Sequence, residues 1–434
     1  MPELNETHDP RRRSWVGSAN ERDCDFPIQN LPFCMFSSGG SLDRPAIAIG
    51  NYLLDLFAAA EDGLFEARSS DAIRLCTGAT LNPLMKLGPS ELSALRRRIF
   101  HLLSEGSALA GELPIIPRER ATLRLPVSIG GFTDFFTSLH HTERGGRITR
   151  PDNPVPANFK YMPIAYNSRA SSVRVSGEDV RRPYGQLRQS DGSVQFAPTQ
   201  ALDFELELGA FVGRENELGT SIPVSEAEEH IFGYCLLNDW SARDVQRWES
   251  FPLGPFLGKS LSTTISPFVV TTEALAPFRT QSCTRPQEDP ALLPYLYAEN
   301  DQQAGGIDLR LEALIQTPTM SAKNEAPFRI VTTNFKHMYW TFAQMVAHHT
   351  SNGCNLHTGD LLGSGTTSGP TDESRACLWE ITEGKHPIAL PTGETRIWLD
   401  DEDLVVFRAR AERADYVSIG FGECMGRVVP APKR

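Results

Sequence analysis

Between residues 202 and 208 apolar and acidic side chains alternate strictly, with Leu202, Phe204, Leu206 and Leu208 set against Asp203, Glu205 and Glu207. A period of two is that of a β-strand with one face in a core, and it directs Glu205 and Glu207 to the same side. The continuous apolar run from Ile231 to Leu237 predicts a second, buried strand, which ends at Asp239. The following SARDVQRWE reads as a helix start, with Ser241 as N-cap and Asp244 as its capping-box partner. Arg243 and Gln246, three apart, then share a helix face. Nearer the amino end AIAIGNYLLDL is strand-like. SELSALRRRIFHLL carries Leu92, Leu95, Ile99 and Leu102 on one helical stripe, which puts Arg96 to Arg98 on the wet face. From about Pro126 onward, short apolar runs are divided by Gly, Pro and Asp turns, the pattern of a β-rich region with few helices. Three segments are expected: a disordered arm over 1–22, a small mixed domain over 23–125 and a β-rich domain over 126–434.

Composition narrows what such a chain can do. Its 434 residues, 40% of them hydrophobic, suffice for two full cores. A net charge of −12 disfavours nucleic acid or an anionic membrane as the main partner, so an anionic substrate has to be met by a local basic pocket or a cation. Eight cysteines lack any C-x-x-C pair, which argues for reduced, mostly buried thiols and a cytoplasmic setting. No apolar run approaches the roughly 20 residues that span a bilayer. The polar opening MPELNETHDPRRRSW is no secretion signal, and PAPKR is no peroxisomal address.

Two carboxylates on one strand face repel each other, and a bound cation offsets that repulsion; a wet acidic edge is the alternative. With Asp239 as a third acid and no Cys or His nearby in sequence, the hard cations Ca²⁺ and Mg²⁺ suit the set better than zinc. Arg243, Gln246 and the downstream Lys259 are donors able to hold a developing oxyanion beside it. Other motifs fall away on spacing. GPFLGKS is one residue short of a phosphate-binding loop. GECMG near the carboxyl end leaves no later triad partners for Cys424. His348 and His349 are adjacent, so on a helix they diverge.

NDWSARD, PLGPFLGKS, YNSRASS with RRPYGQ, NFKHMYWT, GDLLGSGTTSG and, near the start, DFPIQNLPF closely resemble the fumarylacetoacetase family, in the family's order over about residues 23–430. The resemblance implies a mainly β fold with some α: a small SH3-like amino-terminal domain, then a larger catalytic domain built on a mixed β-roll. It also implies a homodimer. Asp134 would join Glu205, Glu207 and Asp239 as a ligand of Ca²⁺ or Mg²⁺, with Lys259 and Thr263 at an associated Mg²⁺ position. The sequence does not choose between His140 and His141; the resemblance makes His141 the general base and Glu380 the acid that orients it. Arg243, Gln246 and Lys259 would stabilise the oxyanion. Phe136, Arg150, Tyr166, Gln246, Ser250 and Thr366 would line the substrate pocket.

The implied reaction is hydrolysis of the carbon–carbon bond between the carbonyls of a β-diketo acid. For fumarylacetoacetate the products are fumarate and acetoacetate, the last step of tyrosine and phenylalanine breakdown. Phe136 and Ser250 stand where the family has tyrosines, and Asn167 and Ser168 follow Tyr166 where it often has His-Gly. The loss of two phenol hydroxyls keeps open a paralogue acting on another acylpyruvate or an aromatic β-diketone.

Overall fold

The computed structural model describes residues 3–433 and contains more strand than helix. Its amino-terminal part is a five-stranded antiparallel sheet made of Phe33–Ser37, Arg44–Ile49, Tyr52–Asp55, Ile115–Pro117 and Thr122–Arg124. The turn between the second and third strands requires a left-handed residue, which Gly50 supplies with φ 54°. The predicted helix forms as Pro89–Leu103, with proline in its first turn and Glu91 accepting the Gly88 N–H. Leu95, Ile99 and Leu102 are buried on its inner side.

Two expectations fail on this helix, and both fail through hydrogen bonding. The last carbonyls of a helix have no intrahelical donor, and here the 1–22 segment provides donors. Ser14 Oγ and the Trp15 backbone N–H donate to Leu103 O, and Trp15 Nε1 donates to Leu102 O. With Thr7, His8, Val16 and Ala19 also buried, residues 3–22 are a packed clamp and not a disordered arm. Arg96, expected in water, is buried; it donates to Thr7 Oγ1 and to the carbonyls of Asn30 and Gln29. Burial pulls its pKa down to about 10.

The carboxyl-terminal part holds two facing sheets. The larger has eight strands. Its main path runs Ile164–Asn167, Phe132–Phe136, Leu361–Gly363, Leu206–Val212, Ile231–Asp239, Thr263–Ile265, Val173–Val175. It is mixed: Leu361–Gly363 runs parallel to Phe132–Phe136, and Thr263–Ile265 parallel to Val173–Val175. The second sheet is ordered Phe328–Asn334, Arg310–Gln316, Leu404–Ala411, Ile419–Val429, Val180–Arg181. Phe204, Tyr234, Trp240, Phe407 and Phe421 belong to the core between them. Phe204 meets Phe407 edge-on at 5.6 Å, and the Trp240 indole N–H donates to Thr264 Oγ1.

Central position in the larger sheet changes the reading of the acidic strand. Leu206–Val212 is paired on both edges and every residue from Leu202 to Val212 is buried, so the alternative of a wet acidic edge falls away. The predicted cap also moves. The helix is Arg243–Glu249 with Ala242 at its N-cap, while Ser241 pairs with Asp203 in a short ladder and donates to Asp239 O. The Asp244 carboxylate instead accepts from Thr199 Oγ1 and the Gln200 N–H, tying down the preceding loop.

Candidate active site

Sheet register gathers the acids. Asp134 lies opposite Gly363 on one side and Tyr166 on the other, and Thr263 lies opposite Asp239. Carboxylate oxygens of Asp134, Glu207 and Asp239 all come within 4.8 Å of one another, and all three residues are buried. One oxygen of each, Asp134 Oδ1, Glu207 Oε1 and Asp239 Oδ1, has no hydrogen-bond donor. Buried carboxylate oxygens without a donor are costly by themselves, and a close set of oxygen ligands of this kind fits a hard divalent cation. The Tyr166 hydroxyl lies between Asp134 Oδ2 and Asp239 Oδ2, at 2.9 and 3.0 Å, with one proton to share between the two acids.

Glu205, expected as an equal ligand, is the most heavily paired of the four. It meets Lys259 Nζ on one oxygen and Arg243 Nη2, at 2.8 Å, on the other. Burial opposes its ionisation, but Lys259, Arg243 and His141 together hold its pKa below the ordinary range. The opposite holds for its neighbours. Burial, then Asp239, pushes Asp134 well above that range, and burial, then Asp134, does the same to Glu207. Lys259 also donates to Asp239 Oδ2 at 2.7 Å; against its burial, the charges of Asp239 and Glu205 raise its pKa. It is therefore an ammonium without a lone pair, a counter-charge in the cluster and, as expected of a protonated lysine, no ordinary metal ligand.

Arg243 is equally committed. It pairs with Asp203 through Nε and Nη2, donates from Nη1 to Gln246 Oε1 at 3.2 Å, and lies over the Trp379 ring. The sequence reading gave Asp203 no role of its own, since it shares the polar register of Glu205 and Glu207. Its carboxylate is fully buried and also accepts the backbone N–H groups of Leu378 and Trp379, which anchors the segment bearing Glu380.

That segment is the short helix Leu378–Thr382. Its carboxylate is buried and accepts from His141 Nδ1 at 2.6 Å. Burial opposes ionisation of Glu380, yet His141, Ser368 and Arg144 lower its pKa, so it accepts and the Nδ1–H donates. This leaves Nε2 as the free ring nitrogen. His141 sits in the first turn of the helix Leu139–Thr149, where Ser138 caps its backbone N–H. His140 has no part in the dyad. Cys377 Sγ lies 3.6 Å from Glu380 Oε1, but burial and Asp203 push its pKa well up, and it remains a thiol.

The expected pocket residues divide. Phe136 packs edge-on against His141 with centroids 5.1 Å apart, and Thr366 is buried in the glycine-rich loop. Ser250 is half-buried and donates to Gln246 O, four residues back in the helix Arg243–Glu249, at 2.5 Å. Arg150 stands exposed at the far end of the His141 helix, about 13 Å away along its axis, and is not gathered into the cluster. His349 and His348 bond separately to Thr133 and Tyr295.

The raised pKa values of Asp134 and Glu207 carry a stability prediction. A carboxylate whose pKa is higher folded than unfolded costs nothing below its unfolded value, about 4; the cost grows as pH climbs from there to the folded value, above which it levels off. A divalent cation removes that cost. The gain in Tm on adding Ca²⁺ or Mg²⁺ to metal-stripped protein should therefore be larger at about pH 8 than at about pH 5. Thermal unfolding at both pH values checks this, and a gain independent of pH would count against a shared ion.

Two family profiles match the chain: the amino-terminal region of fumarylacetoacetase over residues 29–126 and the carboxyl-terminal region of fumarylacetoacetate (FAA) hydrolase over residues 132–429. Fumarylacetoacetase of Oryza sativa subsp. japonica is 44% identical over 420 residues, covering 94% of this chain and 95% of that protein. Fumarylacetoacetase of Homo sapiens is 41% identical over 421 residues, covering 94% and 97%. Among solved structures, fumarylacetoacetate hydrolase from psychrophilic Exiguobacterium antarcticum superposes with a TM-score of 0.50 at 16% identity, covering 93% of this chain and all of that one, a likeness of fold.

Proposed function

The chain belongs to the fumarylacetoacetate hydrolase family, and from that premise we propose that its site hydrolyses fumarylacetoacetate to fumarate and acetoacetate in tyrosine catabolism. The observation that carries the reading is the pairing of His141 with a buried, ionised Glu380 beside a cluster of acids with three unpaired oxygens. No helix of the described residues is long and apolar enough to cross a membrane.

His141 Nε2 takes a proton from water while Glu380, on Nδ1, stabilises the imidazolium that forms. The water oxygen bonds to one carbonyl carbon, and the carbon–carbon bond to the neighbouring methylene breaks. Its electron pair passes into an enolate of the second carbonyl, which is then protonated at carbon. Asp134, Glu205, Glu207 and Asp239 would hold Ca²⁺ or Mg²⁺, which would supply Lewis-acid polarisation of a substrate carbonyl oxygen. Lys259 spends two of its three protons on Glu205 and Asp239, leaving one for an oxyanion, and the Arg243 and Gln246 pair adds donor capacity beside it. Phe136 gives an apolar wall against the base. Tyr166 acts chiefly by bridging two acids, with Thr366 and the more distant Arg150 toward the ends of the substrate.

All eight cysteines are unpaired, which supports a reducing, cytoplasmic setting. In the loop after Ser250, Phe251 and Leu253 are 91% and 97% exposed, an apolar surface that supports a homodimer. Steady-state hydrolysis by metal-stripped protein, with Ca²⁺ and Mg²⁺ restored separately, tests the reading. A kcat/KM near 10⁵ M⁻¹s⁻¹ or above is roughly what a dedicated enzyme gives. Because Phe136 lacks a hydroxyl and the Ser250 hydroxyl is spent on Gln246 O, a panel of acylpyruvates belongs in the same assay. Weak turnover of fumarylacetoacetate beside clear cleavage of another diketone would replace the substrate and keep the chemistry.

A further inference from the structure

We propose that Arg144 is a positioning residue of the general base, a second clamp on Glu380 that fixes which of its oxygens faces His141. The inference rests on the proposed hydrolytic role of the His141 and Glu380 pair.

The two oxygens of Glu380 are served separately. Oε1 accepts from His141 Nδ1 and from Ser368 Oγ. Oε2 accepts from Arg144 Nη1 at 3.2 Å. Arg144 follows His141 by three residues on the helix Leu139–Thr149, so one helix face presents both side chains to the same carboxylate. The other end of the guanidinium is held as well, with Nη2 donating to Thr371 O at 3.1 Å. The next cation along, Arg375, is engaged elsewhere: it donates to the backbone oxygen of Glu380 and pairs with Asp372.

A buried carboxylate held on one oxygen can swing about its terminal torsion, which is soft and nearly two-fold. Each swing would carry the acceptor away from the imidazole Nδ1–H, and the ring with it. Arg144, anchored on Thr371 and only 16% exposed, removes that freedom. Its planar fork suits the task better than a flexible ammonium. It touches neither the reacting atoms nor the acid cluster, so its effect should fall on the chemical step and not on substrate binding.

The experiment is a double-mutant cycle on the metal-loaded enzyme with fumarylacetoacetate. Arg144→Met is expected to lower kcat about 10-fold, as loss of an orienting partner typically does, with KM changed less than about twofold. Arg144→Gln, a neutral donor, should recover part of kcat. In a Glu380→Gln background Arg144→Met should cost nothing further, because its effect passes through Glu380. A rise in KM at constant kcat, or full additivity in the cycle, overturns the proposal. The downfield proton resonance of the His141 Nδ1–H needs no turnover. It should shift or broaden in Arg144→Met, and an unchanged signal also overturns the proposal. Wild-type protein that hydrolyses no diketo acid would instead defeat the functional reading, while the resonance still reports on the clamp.

Discussion

Replacing His141 by alanine is expected to lower kcat about 10²- to 10⁴-fold, the contribution of a positioned general base. The imidazole is 3% exposed and its Nδ1 is committed to Glu380, so Nε2 is the one nitrogen able to serve. His140, one residue away, is only half-buried, and burial lowers its pKa; it does not contact Glu380 and cannot take over. The sharper variant is Glu380→Gln, which keeps volume. An amide can turn its N–H₂ toward Nδ1, which then becomes an acceptor, and the ring proton moves to Nε2, where the base must be free. Loss of about 10³- to 10⁴-fold is expected, the scale seen when a catalytic histidine is left in the wrong tautomer. Single-turnover measurements on metal-loaded protein check both. Retention of more than a tenth of wild-type kcat in either variant would place the base elsewhere.

Lys259→Met should damage both turnover and stability. The ammonium bridges Glu205 and Asp239 with its side chain 5% exposed. Removing it leaves two buried carboxylates beside Asp134 and Glu207, neither of which ionises readily. Breaking a buried ion pair from one side costs about 3–5 kcal/mol, and losing an oxyanion donor costs about 10²- to 10³-fold in kcat. Urea unfolding with and without Ca²⁺ separates the two. The stability loss should be largest without the cation and should shrink when it is added, whereas kcat should not recover. Wild-type stability in the absence of metal would show that Lys259 is not the counter-charge described.

Much of this site was legible because its chemistry lies in local patterns. The run ending at Asp239 formed the strand Ile231–Asp239, whereas the alternating segment is broken at Phe204 and Glu205 into Leu202–Asp203 and Leu206–Val212; the three acids still come together on neighbouring segments. The misses share a physical cause: they depend on contacts that no periodicity records. Residues 3–22 are polar, yet Ser14 and Trp15 satisfy helix carbonyls almost ninety positions away. Arg96 looked like one charge in a wet run, and its hydrogen-bond partners come from two distant segments. Asp203 shares the polar register of Glu205 and Glu207 but serves Arg243 and two backbone N–H groups. Ser241 and Asp244 match a capping box in type, but the ladder with Asp203 claims the first and Thr199 the second. Glu380 and Arg144 meet across 236 positions, beyond the reach of any local rule.

The Lys259 ammonium has a consequence for how the protein is made. A counter-charge carried on the chain is present at a fixed local concentration from the moment of synthesis, whatever ions surround the ribosome. Part of the repulsion among the acids is thus relieved before any cation arrives, and closure of the fold does not wait on ion supply. If the site takes a cation as proposed, its capture need not precede folding.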